Sequence, residues 1–209
     1  MSSLQQTPHQ SAGTIPLHTP LLPPLPSLPA SSTSIRASLL DALFEPCTQL
    51  HTLSLPLLSS TAFPSYPALI DGIRSQLQTL QTSSSTSDTE WLDKILAAHP
   101  RLGEKKVDSA QSRAEQAAME AASGGEGGKE EEARALRALN EEYERTFPGL
   151  RYVVFVNGRS RAVVMDDMRK RIERGDLDAE RKEAIEAMCD IAKDRAKKFE
   201  ATAEMNTSA

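Results

Sequence analysis

The sequence predicts an all-α fold: a single compact multi-helix domain with one short extended segment and a disordered N-terminal tail. Three observations lead there. After residue 33 apolar residues recur at helical spacing, as in Leu69, Ile70, Ile73, Leu77 and Leu80. The run RYVVFV, residues 151–156, is the one strand-like stretch, and nothing obvious pairs with it. Residues 1–33 are rich in Ser, Thr, Pro and Gln and offer few positions for a core. A chain of 209 residues supports one domain with a proper core and is too short for two of ordinary size. The expected division is a tail over 1–33, a helical domain over 34–202 and a flexible C-terminal tail over 203–209.

The first helix is expected in SIRASLLDALFEP, with Ser34 as its cap and Pro46 as its stop. TQLHTLSLPLLSS reads as a second helix interrupted at Pro56. YPALIDGIRSQLQTL carries the clearest apolar stripe. The stretch TSSSTSD reads as a flexible loop in which Ser87 or Asp88 caps TEWLDKILAAH, with Trp91, Leu92, Ile95 and Leu96 inward. DSAQSRAEQAAMEAA is alanine-rich and helix-prone, and SGGEGG ends it. EEEARALRALNEEYERTF aligns Leu136, Leu139, Tyr143 and Phe147 on one face. After RYVVFV, NGRS reads as a turn and RAVVMDDMRKRIE as a helix. The closing helix is expected over Asp178 to Glu200, with Ile185, Met188, Cys189, Ala192 and Phe199 inward.

A net charge of −5 and a pI near 5.5 argue against nucleic acid as the main partner, because phosphate binding needs a basic surface. No apolar run reaches membrane-spanning length, and prolines break the apolar residues near Leu21 to Leu28, so neither a membrane span nor a secretory signal is expected. Cys47 and Cys189 have no metal or redox spacing and suit a reducing compartment. Both read as core residues, since neither has a histidine nearby in sequence.

Three short stretches could carry chemistry. In ILAAHPRLG, Pro100 disfavours helical geometry for His99, so the ring is expected to project from a helix end. A histidine there can also simply bond a carbonyl and sit favourably on the helix dipole. In SRAEQ, Ser112, Glu115 and Gln116 share one helix face, where a hydroxyl, a carboxylate and an amide can surround a small polar ligand. The same letters spell a capping box, the favoured reading on periodicity alone. YVVFV reads first as buried core; its functional alternative is an extended backbone whose free N–H groups hold a ligand's oxygens. In NGRSR, Arg159 and Arg161 are either solvated or meet a carboxylate bidentately.

Taken in order, LFEP, HPRLG, SRAEQ, LNEEYERTFPGLRYVVFVNGRSR and the basic-acidic closing helix resemble one family, over about residues 36 to 200. It is the 2-oxo-4-hydroxy-4-carboxy-5-ureidoimidazoline (OHCU) decarboxylases of urate breakdown. The resemblance implies an all-helical lyase, commonly a homodimer, that converts a small anionic ureidoimidazoline to (S)-allantoin without a cofactor or metal. It implies His99 and Glu115 as the catalytic residues, with Glu115 either holding His99 protonated or accepting from ureido N–H groups. The implied substrate-binding set is Pro100, Ser112, Gln116 and the segment Tyr152, Val153, Val154, Phe155 and Val156, to which Arg161 is added for the carboxylate. The chain departs from the family where PCTQL follows FE, where MEAAS follows the Glu-Gln pair, and in loops near Ser83 and Gly124 that look inserted. Relatives are often peroxisomal, but the C-terminus Thr-Ser-Ala is not the Ser-Lys-Leu address, so peroxisome and cytoplasm are both expected compartments. Two rivals stand beside this expectation: a non-catalytic helical protein-interaction module, and a relative acting on another ureido acid.

Overall fold

A computed structural model of the chain describes residues 22–104, 109–122 and 129–207. Eight α-helices and no strand stand among the described residues: α1 (Thr33–Leu43), α2 (Thr48–Ser60), α3 (Tyr66–Thr82), α4 (Thr86–Leu96), α5 (Ala110–Ala122), α6 (Lys129–Thr146), α7 (Arg161–Arg174) and α8 (Leu177–Thr207). None is long and apolar enough to cross a membrane.

Helix α3 fully buries the stripe Leu69, Ile70, Ile73 and Leu77, while Leu80, the last member expected of it, is half-buried. Its most extensive packing is against α8, whose Ile185, Met188, Cys189, Ala192 and Phe199 face inward as the spacing predicts. Helix α4 packs on both, and Arg181 of α8 grips Asp93 of α4 bidentately at 2.8 and 2.9 Å. On α6, Leu136, Leu139 and Tyr143 turn inward, as does Phe147 just past its end, and this helix packs on α7. Helix α1 contacts both α2 and α8. Cys47 and Cys189 are unpaired core residues, and burial pushes the Cys189 thiol up to about 11.

Several boundaries differ from expectation. Of the expected tail, residues 1–21 lie outside the described residues. The rest belongs to the domain: a 3-10 turn at Leu25–Ser27 delivers Leu28, fully buried, into the core. Arg36 secures that entry by donating to the carbonyls of Leu28, Pro29 and Ser31. The cap of α1 is Ser32, which accepts from the Ile35 N–H, and not Ser34. Helix α2 runs through Pro56 without a break, so the proline costs one hydrogen bond but does not divide it. Ser85 is the residue before α4; Asp88 sits inside its first turn and receives the Ser83 hydroxyl at 2.5 Å. Trp91 turns outward, with 36% of its surface exposed. At the C-terminus α8 continues to Thr207 through most of the expected tail; Ser208 and Ala209 lie outside the described residues. The lysines after Glu104 and the SGGEGG loop also fall largely outside them.

Candidate active site

Residues 151–156 are extended yet join no sheet. Such a backbone must find partners other than a ladder. The turn that follows is tight: Asn157 and Gly158 both have positive φ (43° and 75°), and the Arg159 N–H returns to the Val156 carbonyl at 2.9 Å. Arginines occupy the carbonyls. Arg159 donates to those of Phe155 and Val156, and Arg171 reaches that of Val153 at 3.4 Å. Among the described residues nothing accepts from the N–H groups of residues 152–156.

The HPRLG stretch faces this segment across a small cavity. Helix α4 stops at Leu96, and the chain after Pro100 is held by α5 and α6. Gln116 of α5 accepts from the Gly103 N–H at 3.0 Å and donates to the Arg101 carbonyl at 3.2 Å. Asn140 of α6 donates to the Leu102 carbonyl at 3.0 Å, and Arg101 clasps Glu144 with two bonds of 2.6 Å. Gly103 adopts φ 79°, and a Cβ there would lie 2.6 Å from Leu136 Cδ2, so both backbone and space require glycine.

The cavity measures about 60 Å³. His99, Pro100, Ser112, Glu115 and Gln116 line one side, and Tyr152, Val153, Val154 and Val156 the other. Met119, Leu102 and Ile191 complete it. A second pocket of about 230 Å³ shares Glu115, Met119, Val154, Val156 and Ile191 with it. Nine of the eleven expected residues therefore meet in one place. Phe155 and Arg161 do not. Phe155 lines the second pocket and not the inner one. Arg161 begins α7 and turns to Glu132 of α6 at 3.5 Å, beside a separate groove between α5 and α6. Tyr152 offers its ring alone: the hydroxyl is engaged behind the segment by Asp167 at 2.5 Å and the Val164 carbonyl at 3.2 Å.

Ser112 is not a helix cap. Ser109 takes that part, accepting from the Ser112 N–H at 3.0 Å, which frees the Ser112 hydroxyl for the interior. There it donates to Glu45 at 2.5 Å and accepts from Arg195 at 2.9 Å. Arg195, on α8, is the centre of the cluster and was not among the expected residues. Its guanidinium meets Glu115 bidentately at 2.8 and 2.9 Å, Glu45 at 2.8 Å and the Phe44 carbonyl at 2.8 Å. Burial acts against its charge, but Glu115 and Glu45 outweigh it and leave its pKa raised. Glu45, from the LFEP motif, is the second residue missed.

His99 departs furthest from expectation. It does not project from a helix end; only 5% of its surface is exposed, and neither ring nitrogen has a partner among the described residues. Glu115 does not hold it protonated, since that carboxylate is committed to Arg195. Burial drives the imidazole pKa down to about 3, and the positive charge of Arg195 pushes the same way. The ring is therefore neutral at pH 7, with one N–H and one free lone pair. A group of this kind can take a proton and return one without a change of charge at rest.

A stability consequence follows with a definite sign. Between the ordinary value of about 6.5 and the folded value of about 3, the unfolded chain binds a proton at this histidine and the folded chain does not. His99 thus opposes folding as pH falls through that window, with a slope approaching about 1.4 kcal/mol per unit. Urea unfolding of His99→Asn and the parent from pH 7 to pH 4 should show the parent losing more stability. Equal losses would mean that the ring protonates in place.

The described residues contain no group of three metal-ligating side chains. The family model described as OHCU decarboxylase matches residues 29–197, most of the chain. No protein of the curated set matches.

Proposed function

The chain belongs to the OHCU decarboxylase family, and from that premise we propose that it decarboxylates 2-oxo-4-hydroxy-4-carboxy-5-ureidoimidazoline to (S)-allantoin in urate breakdown. The observation that carries the reading is a neutral, unpartnered His99 in a cavity whose other walls are a fixed carboxylate and a backbone with free N–H groups.

The substrate's own ring supplies the electron sink. As the bond to the carboxylate breaks, its electron pair moves toward the adjacent ring C=N, whose nitrogen takes up a proton, and CO2 leaves. The resulting enol loses its hydroxyl proton while a proton is delivered to the ureido-bearing carbon from one face. His99 is placed for both transfers, first accepting from the hydroxyl and then donating to carbon. Its lowered pKa makes it a weak base before substrate binds, and the negative charge of the bound substrate raises its basicity. Free N–H groups of the extended segment stabilise the oxygen on which charge develops. Glu115, fixed by Arg195, accepts from ureido N–H groups. Gln116 shapes the wall, because its amide is already used on the HPRLG backbone. The inner cavity is far below the roughly 300 Å³ at which ligand pockets begin. The reacting carbon and its carboxylate occupy it, and the remainder extends into the adjoining pocket.

The test is circular dichroism during urate oxidation, with urate oxidase and hydroxyisourate hydrolase supplied and this protein added last. The expected outcome is growth of the (S)-allantoin signal well above spontaneous decay. No acceleration by a folded protein would sink the decarboxylase and leave the helical interaction module. Turnover only of a different ureido acid would reassign the substrate.

A further inference from the structure

Three arginines outside the inner cavity are tied to the backbone of its two walls. Arg151 opens the extended segment and donates to the His99 carbonyl at 3.1 Å, the one hydrogen bond its side chain makes among the described residues. Arg159 closes the turn and donates to the carbonyls of Phe155 and Val156. Arg171, buried beneath the segment, lies over the Tyr152 ring at 5.0 Å and donates to the Val153 carbonyl. None of the three lines the cavity that holds His99 and Glu115, although Arg159 reaches the rim of the adjoining pocket.

We propose that Arg151, Arg159 and Arg171 are positioning residues, a frame that sets the extended segment and His99 in register with each other. The inference rests on the decarboxylase reading and deepens it. An extended segment without a partner strand has no ladder to fix its register. Each of these charge-assisted bonds fixes one carbonyl, and a guanidinium can do so in a set direction because it is planar. The carbonyls occupied from behind leave the segment's N–H groups free for a ligand. No described residue hydrogen-bonds the His99 ring, so its direction comes from the backbone. Pro100 stiffens the peptide that follows His99, and Arg151 holds the carbonyl of that same peptide.

Burial of charge points the same way. Arg171 sits among Asp167, Glu180 and Glu183, with Glu180 fully buried, and Tyr143 donates to Glu180 at 2.5 Å. Such clusters contribute little net stability compared with apolar packing, and their better attested use is conformational specificity. Here the specificity is that of a wall made of bare backbone.

The experiment uses the full chain with Arg151→Met and Arg159→Met, each paired with its lysine variant; Arg171 is left intact because its removal strands buried carboxylates. Kinetics, the enantiomeric excess of allantoin, thermal midpoints and amide hydrogen exchange at residue 159, whose N–H is bonded to the Val156 carbonyl, are measured. The methionine variants should lose about 10–100-fold in kcat, as small misplacements do, with KM within about threefold and the midpoint unchanged. Enantiomeric excess should fall with kcat. Lysine should restore part of the rate, since its ammonium can donate to the same carbonyl but lacks the planar fork. Exchange at that amide should quicken in Arg159→Met, because the variant loses the side-chain contacts that hold the Val156 and Phe155 carbonyls. An unchanged kcat, a rise in KM alone, or no rescue by lysine overturns the proposal; the second result would make Arg159 a direct ligand of the substrate. If the parent itself fails to turn over, the decarboxylase reading falls and exchange alone decides the frame: faster exchange supports it, unchanged exchange rejects it.

Discussion

His99→Ala should lower the decarboxylation rate about 10²–10⁴-fold, the range lost when a positioned acid–base group is removed. The protein should remain folded. Two opposing effects act on stability at this site. Truncating a buried ring leaves a cavity, which is destabilising. Yet the imidazole makes no hydrogen bond, so its removal also relieves the cost of two desolvated nitrogens. The two are of similar size, and the thermal midpoint should move by only a few degrees. The informative comparison is therefore the ratio of the two losses. A variant that loses rate and keeps its midpoint identifies His99 as part of the chemistry. A variant that keeps its rate removes His99 from the mechanism, whatever happens to its stability.

The second large effect is structural. Arg195→Met should destabilise the fold by about 3–5 kcal/mol, the cost of breaking a buried pair from one side. Its side chain is 1% exposed and stands between Glu45 at 5% and Glu115 at 27%. Methionine fills much of the volume but leaves both carboxylates without their counter-charge. The sign of the pH dependence then identifies the cause. Carboxylates stripped of their cation have raised pKa values in the folded variant, so the folded state binds protons more tightly than the unfolded one. Stability should recover as pH falls through those raised values. Adding Glu45→Gln should recover part of the loss at neutral pH. Urea midpoints of the three proteins give the answer, and a loss below about 0.5 kcal/mol would place the guanidinium outside the cluster's balance. Turnover should disappear with Arg195 as well, because Glu115 loses the bidentate contact that orients it.

The helices were legible where the chain repeats a simple pattern. Leu69, Ile70, Ile73 and Leu77 announce α3 because a 3.6-residue period leaves one face to bury. The site was legible to the extent that its residues lie in short runs: His99 with Pro100, Ser112 with Glu115 and Gln116, and the apolar segment. Arg195 was not, because its partners are 80 and 150 residues away and contact at that range leaves no local trace. One signal did exist. Ala192, Arg195, Ala196 and Phe199 are spaced as one inward stripe, so a charge stands where the period requires an apolar residue. A cation on a buried stripe needs an anion, and Glu45 after Phe44 was available. The direction of His99 was hidden for a different reason. Proline constrains the backbone of the residue before it, but burial of the ring depends on α5 and the segment, which arrive from elsewhere. Trp91 was misplaced by reading size as burial, although amphipathic aromatics are often part-exposed. The placing of Arg161 away from the cavity had no local trace, because its neighbour in space, Glu132, stands in the first turn of α6, 29 residues earlier in the chain.

The bare segment has a meaning for the chain before it is folded. YVVFV is apolar, β-branched or aromatic at every position, uncharged and free of proline. That is the composition from which cross-β stacking is built. In the native protein Tyr152, Val153 and Val154 are buried, which keeps most of the run from another copy. In a nascent or heat-opened chain no such burial exists, and the run could template association. Arg151 and Arg159 stand at its two ends, where like charges on neighbouring chains would repel one another. The same two side chains that hold carbonyls in the finished fold thus act as gatekeepers against aggregation during its assembly.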